Sequence, residues 1–148
     1  MAVVILYTVD DKDTLCGWYK FKSSYILFPT LKMSWKGSMA YCQLLGARLI
    51  ETDTKQKDKF VRSIAKTIPG IFHVWTAGSD VKKEGKWVWM NSGLPIRTYE
   101  NWQPGQPDNN SGNDLEAHCL ALAPWFGYAW TDLACSFRGA AVCEISGV

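Results

Sequence analysis

Five cysteines, at positions 16, 42, 119, 135 and 143, constrain this chain more than any other feature. Three of them fall within the last thirty residues, without the Cys-x-x-Cys spacing of a zinc or redox site. Two disulfides and one odd cysteine are the natural reading, and they place the protein in an oxidising, secreted setting. Composition does not choose the pairs, because four cysteines join in three ways for every choice of the fifth. The amino terminus lacks a cationic start and a small-residue cleavage site. Residues 1–15 therefore read as an apolar strand extension, with an edge strand at 3–9 and a signal peptide already removed.

The whole of 1–148 has the length of one domain. A hydrophobic share of 47% with 20% charged residues excludes a disordered chain. A net charge of +2 gives no electrostatic reason to expect nucleic acid or an anionic membrane surface as partner. No apolar run approaches the roughly 18–20 residues of a membrane span. The spacing predicts strands at 17–21 and 24–28, stopped by Pro29. Ser34 offers an N-cap to a helix whose apolar positions (Trp35, Met39, Tyr41, Cys42, Leu45) run to Gly46. A short strand at 48–50 follows. Asp53 with Gln56 resembles a capping box for a second helix, with a stripe at Phe60, Val61, Ile64, Ala65 and Ile68 up to Pro69-Gly70. Further strands are expected at 74–78, 87–89, 119–122, 128–130 and 140–145.

Between 90 and 118 the chain is rich in Asn, Gly, Pro, Gln and Asp and carries no strong periodicity. So long an irregular stretch in a compact domain is either disordered or functional, and the flanking cysteines and Trp102 favour a folded, functional loop. Its section 106–116 holds Gln106, Asp108, Asn109, Asn110, Asn113, Asp114 and Glu116. Hard oxygen donors at that density suit Ca²⁺, which takes six to eight oxygens. They equally suit a solvated turn, where Asn and Asp are favoured for their own backbone hydrogen bonds.

Three motifs in order carry a resemblance. Val74-Trp75-Thr76-Ala77-Gly78 is similar to a central Trp-Ile-Gly-Leu strand. Asn101-Trp102-Gln103-Pro104-Gly105-Gln106-Pro107-Asp108 is similar to an Asn-Trp-x-x-Gly-x-Pro loop, and Trp130-Thr131-Asp132 to a Trp-Asn-Asp strand. From Cys16 to Ile145 the chain resembles the C-type lectin-like domain, in the manner of secreted single-domain invertebrate lectins. The resemblance implies an α+β fold, with two helices flanking antiparallel sheets, a long ligand-binding loop and two intrachain disulfides. It pairs Cys42 with Cys143 and Cys119 with Cys135. In a chain-entropy account, closing loops of about 100 and about 15 residues stabilises by about 4.7 and about 3 kcal/mol. Cys16 is left over and implies a disulfide-linked homodimer or heterodimer.

The resemblance also implies a calcium site. Gln106 and Asp108 match the family's first two ligands and Asp132 its last, with a cis bond before Pro107 turning the first two to one side. The middle acid stands where this chain has Ala117, so Glu116, or else Asp114, takes its part, and Thr131 replaces the usual Asn. Asp80 and Glu84 sit like the carboxylates of an auxiliary calcium site, or are two exposed turn charges. The Gln-then-Asp order resembles readers of galactose and N-acetylgalactosamine, with N-acetylglucosamine a further ligand. Trp125, Phe126 and Tyr128 are candidates for stacking on the sugar, and His118 for lining it. The sequon at Asn109 is expected to be unused, since a glycan there would crowd the site.

An enzyme is not expected. His73 and His118 are the chain's two histidines, and neither His-Glu-x-x-His nor Gly-x-Ser-x-Gly occurs. Carboxylates gathered on a cation stay ionised, which serves binding and not proton donation. The rival is a lectin-like domain that binds a protein partner without calcium or sugar.

Overall fold

Ser34, in extended backbone, takes the N–H of Gly37 on its hydroxyl at 3.1 Å and opens α1 (Trp35–Leu44). Trp35, Ser38 and Cys42 form the buried face of α1, three to four residues apart, and Gly46 turns the chain out of it at φ 73°. The computed structural model describes residues 14–15, 18–29 and 31–146. The expected edge strand at 3–9 and Cys16 lie outside the described residues. The second helix, α2 (Lys55–Ala65), is capped by Thr54 and not by Asp53. The Thr54 hydroxyl accepts from Lys57 N at 3.2 Å, while Asp53 forms an i,i+4 ion pair with Lys57. The residues that spell a capping box thus act one position out of step.

The strands are β1 (Thr14–Leu15), β2 (Trp18–Phe21), β3 (Ser24–Leu27), β4 (Lys32–Met33), β5 (Arg48–Leu49), β6 (Val74–Ser79), β7 (Val88–Trp89), β8 (Cys119–Ala123), β9 (Ala129–Leu133), β10 (Gly139–Ala141) and β11 (Cys143–Ser146). They form two sheets, ordered β1-β2-β3-β11-β5 and β4-β10-β6-β8-β9, with β7 on β6. The ladders described are antiparallel except β10 with β6. The strand expected at 140–145 divides at Val142. Ala140 pairs with Val74 in the second sheet, while Cys143 pairs with Leu27 and Leu49 in the first. One extended run therefore fastens the two sheets together.

Both implied bridges are present. Cys42–Cys143 joins α1 to β11 across 101 residues, and Cys119–Cys135 closes the β8–β9 hairpin across 16. β6 and β8 are buried along their whole length. They approach closely because position 78 is glycine: a Cβ there would lie 2.8 Å from the Leu120 side chain. β8 and β9 present the residues that matter next.

Candidate functional site

Trp130 on β9 is fully buried, with the rings of Trp102, Trp89 and Tyr99 edge-on at 5.5, 5.7 and 5.8 Å. Its indole N–H donates to Asp58 Oδ1 at 2.8 Å, and the same carboxylate accepts from Tyr99 and Asn101 at 3.0 and 3.2 Å. Arg62 Nε stands 3.0 Å from it as an ion pair. Burial pushes the Asp58 carboxyl above its usual range, against those donors. The backbone of Trp130 then seizes the long loop, donating to Asn101 O and accepting from Gln103 N, both at 2.8 Å. Asp58 shares the buried face of α2 with Val61 and Ala65. The signal for it was a carboxylate three residues before Val61, on the apolar stripe.

Two residues beyond Trp130, Asp132 meets the far part of that loop. The Gln106–Pro107 bond is cis. Asp108 N and Asn109 N donate to Asp132 Oδ1 and Oδ2 at 3.2 and 2.6 Å. With the Gln106 amide oriented to donate, its nitrogen lies 2.7 Å from Asp132 Oδ1 and 3.1 Å from Asp108 Oδ1. The structure so brings together Gln106, Asp108 and Asp132. Asp132 is buried, which pushes its carboxyl up; the two backbone donors oppose that rise and the charge of Asp108 adds to it. Asp108 is exposed, and its Oδ2 makes no hydrogen bond among the described residues.

The remaining predicted residues stand elsewhere. Thr131 is buried, and its hydroxyl comes within 3.4 Å of Asp132 O. Asp114 occupies an exposed left-handed turn with Asn113. Ala117 is fully buried, and its N–H donates to Asn109 Oδ1 at 2.9 Å. Asn109, which the sequence offers only as one oxygen donor among several and as a sequon, ties both limbs of the loop to Asp132. An asparagine in a run of Asn, with φ 56°, is the residue type that such turns select. Tyr128 packs into the core, and Phe126 is half-buried. Trp125 is 55% exposed at the tip of the hairpin, beyond Ala129. Asp132 lies three residues further along the strand than Ala129, about 10 Å.

Glu116 turns to a second cluster. Its Oε2 lies 3.2 Å from His118 Nε2, and the other ring nitrogen, Nδ1, lies 2.9 Å from Asp80 Oδ1 and 3.4 Å from Glu84 Oε1. Ligand atoms of Asp80, Glu84 and His118 all fall within 4.8 Å of one another; among the described residues, Asp108, Asp114, Glu116 and Asp132 join no such group. Burial of the imidazole lowers its pKa, but hydrogen bonds to Glu116 and Asp80 and the charges of Asp80 and Glu84 raise it further, and the net shift is upward.

The two clusters differ as cation sites. Asp108 and Asp132 present two carboxylates, and the Gln106 amide adds its oxygen once turned from them, so the set fits Ca²⁺ in kind. The second set has an imidazole nitrogen at its centre, which a hard cation does not take, so it does not fit as an auxiliary calcium site.

Residues 31–145 match the Lectin C-type domain. Perlucin of Haliotis laevigata is 35% identical over 129 residues, which is 86% of this chain and 80% of that protein. Salivary C-type lectin 2 of Aedes albopictus is 34% identical over 125 residues, 79% of this chain and 80% of that protein. Among solved structures, the Ca²⁺-independent C-type lectin SPL-2 from Saxidomus purpuratus superposes with a TM-score of 0.75 at 28% identity, covering 88% of this chain and 91% of that one.

Proposed function

The chain belongs to the C-type lectin domain family, a family of carbohydrate-binding, non-enzymatic domains, and from that premise we propose that it is a secreted lectin for galactose-type or N-acetylhexosamine sugars, bound with the help of Ca²⁺. The observation that carries this reading is the convergence of Gln106, Asp108 and Asp132 around one patch of loop. Calcium, when bound, supplies a centre on which two neighbouring sugar hydroxyls replace water. Gln106, Asp108 and Asp132 would hold it, and Glu116 would join them only by leaving His118. The chain's own part is hydrogen bonding. Asp108 keeps an oxygen free to accept a hydroxyl proton, and the Gln106 amide can donate to the neighbouring hydroxyl once turned from the carboxylates. Of the aromatic candidates, Trp125 has a face open to solvent, and it serves an extended glycan better than the sugar at Asp132.

A second reading, sugar binding without calcium, is favoured by one observation. Asp132 has backbone N–H donors on both oxygens, and the Gln106 amide reaches one of them, so the cluster holds its shape by hydrogen bonds alone. A galactose or N-acetylhexosamine column in millimolar Ca²⁺ tests both. Retention released by EDTA is the expected result, and retention that survives EDTA establishes the second reading. Passage through every sugar matrix would overturn the lectin reading and favour a protein partner.

Secretion is supported by the two bridges, and among the described residues no helix is long and apolar enough to cross a membrane. The odd cysteine, Cys16, supports a disulfide-linked dimer, identical or mixed. Two linked sites would raise avidity by about 10²–10⁴. Equal mobility near the 16.7 kDa of one chain, with and without reductant, would exclude that dimer.

A further inference from the structure

We infer that Asp80, Glu84 and His118 form a site for a divalent transition cation of the Zn²⁺ class, separate from the sugar-binding loop. The inference goes beyond lectin activity and does not rest on it.

The donors are gathered by the backbone. Ser79 pairs with Cys119 across β6 and β8, so the residues just outside that pair, Asp80 and His118, meet at one end of the sheet. Asp80 N and the Ser79 hydroxyl both donate to His118 O, at 3.1 and 2.5 Å, which fixes the backbone that carries the ring. Gly85 N donates to Asp80 Oδ2 at 2.9 Å, leaving Oδ1 turned toward His118 on a side chain with no exposure. Glu84 arrives from the same turn, exposed enough to adjust.

Spacing and chemistry agree. At ligand distances of about 2.0–2.2 Å, tetrahedral ligands of Zn²⁺ stand about 3.3–3.5 Å apart. The 3.4 Å from His118 Nδ1 to Glu84 Oε1 falls in that range, and the 2.9 Å to Asp80 Oδ1, a hydrogen-bond distance, needs to open by about 0.4 Å as the cation replaces the shared proton. One imidazole and two carboxylates are a borderline donor set that selects Zn²⁺ and its neighbours over Ca²⁺. Glu116 completes the arrangement. With the cation on Nδ1, Nε2–H donates to the Glu116 carboxylate at the observed 3.2 Å, as outer carboxylates commonly orient metal-bound histidines. A protonated His118 releases one proton to solvent when the cation takes Nδ1. The site also resolves a charge imbalance, since three carboxylates surround a single imidazole.

The test uses the whole chain as Cys16→Ser, so that no thiol contributes. Zn²⁺ is titrated at pH 7, without sugar, against a chromogenic chelator. We expect one equivalent bound with a micromolar Kd and no displacement by millimolar Ca²⁺. His118→Gln should weaken it at least 30-fold, and Glu116→Gln about 10-fold. A readout on the unsubstituted ligands guards against misfolded variants: one equivalent of Zn²⁺ should move the ring resonances of His118 and leave those of the buried His73 in place. Binding no tighter than millimolar, undiminished affinity in a folded His118→Gln chain, or displacement by Ca²⁺ would each overturn the site. Stoichiometric Zn²⁺ binding by a chain that no sugar matrix retains would sink the lectin reading alone.

Discussion

Two groups of carboxylates lie toward one end of the β6–β8–β9 strands, and they are built in opposite ways. Around Asp132 the backbone of the loop supplies the donors, the carboxylate is buried, and no basic side chain takes part. Around His118 the partners are side chains: one buried carboxylate, two exposed ones and an imidazole. The first arrangement stores loop geometry in a single buried charge. The second hangs on one anchored residue, Asp80, with the others free to rearrange. Removing a charge should therefore damage the first group far more than the second.

The largest expected effect follows directly. Asp132→Ala leaves two loop N–H groups without their acceptor, at about 1–3 kcal/mol each, so roughly 2–6 kcal/mol of stability should be lost, together with sugar retention. Urea unfolding and the sugar column read the two losses; a loss under about 1 kcal/mol would show that the loop does not depend on this carboxylate.

The two histidines offer a second contrast. His73 is 6% exposed, edge-on to Trp75 at 4.6 Å, and burial pulls its pKa from 6.5 to about 4. Its contribution is complete above about pH 6.5. As pH falls from there toward 4, the unfolded chain takes up a proton that the folded chain refuses, and roughly 3 kcal/mol of stability should be lost. Ring titration by NMR checks the cause: His73 should titrate near 4 and His118 above its usual value. A His73 midpoint near 6.5 would contradict the burial argument.

Smaller still is the exchange of specificity within the first group. Gln106→Glu with Asp108→Asn reverses donor and acceptor toward a sugar hydroxyl pair. The wrong sugar then leaves one or two polar groups unmatched, roughly 1–3 kcal/mol each. Preference should move toward mannose-type hydroxyls on a glycan array, and an unchanged ranking would remove the hydroxyl-pair account. The smallest effect belongs to the second group. Glu116, 73% exposed, should change stability by less than about 0.5 kcal/mol as Glu116→Gln in metal-free buffer. A larger loss by urea unfolding would mean that the two groups are less different than their geometry suggests.

The sequence carried much of this, unevenly. Ser34, Gly46 and the stripe of α2 announced their elements because caps and periodicity are local. Gln106, Asp108 and Asp132 were nameable through the motif match, although composition alone left a solvated turn equally open. The cap of α2 was misplaced by one residue because Asp53 and Thr54 are both good caps and stand side by side. Asp58 escaped notice because its partners, Trp130, Tyr99 and Asn101, are 41 to 72 residues away. His118 likewise finds Asp80 at a separation of 38, through the register of β6 with β8. The division at Val142 was invisible because a run buried on both sides looks the same whichever sheet receives it.

That division has a consequence for the order of assembly. β11 is the last of the described strands to leave a ribosome, yet it lies inside its sheet, between β3 and β5. β3 and β5 cannot be joined until it arrives, and β10, just before it, must dock beside β6 at the same time. Until residues 139–146 arrive, the nascent chain holds open two half-sheets with unpaired inner edges. Such contacts, distant along the chain, make for slow closure and a long exposure to aggregation. A ribosome-bound chain halted before Gly139 should be degraded readily by added protease, and resistance should appear only once residues 139–146 have emerged.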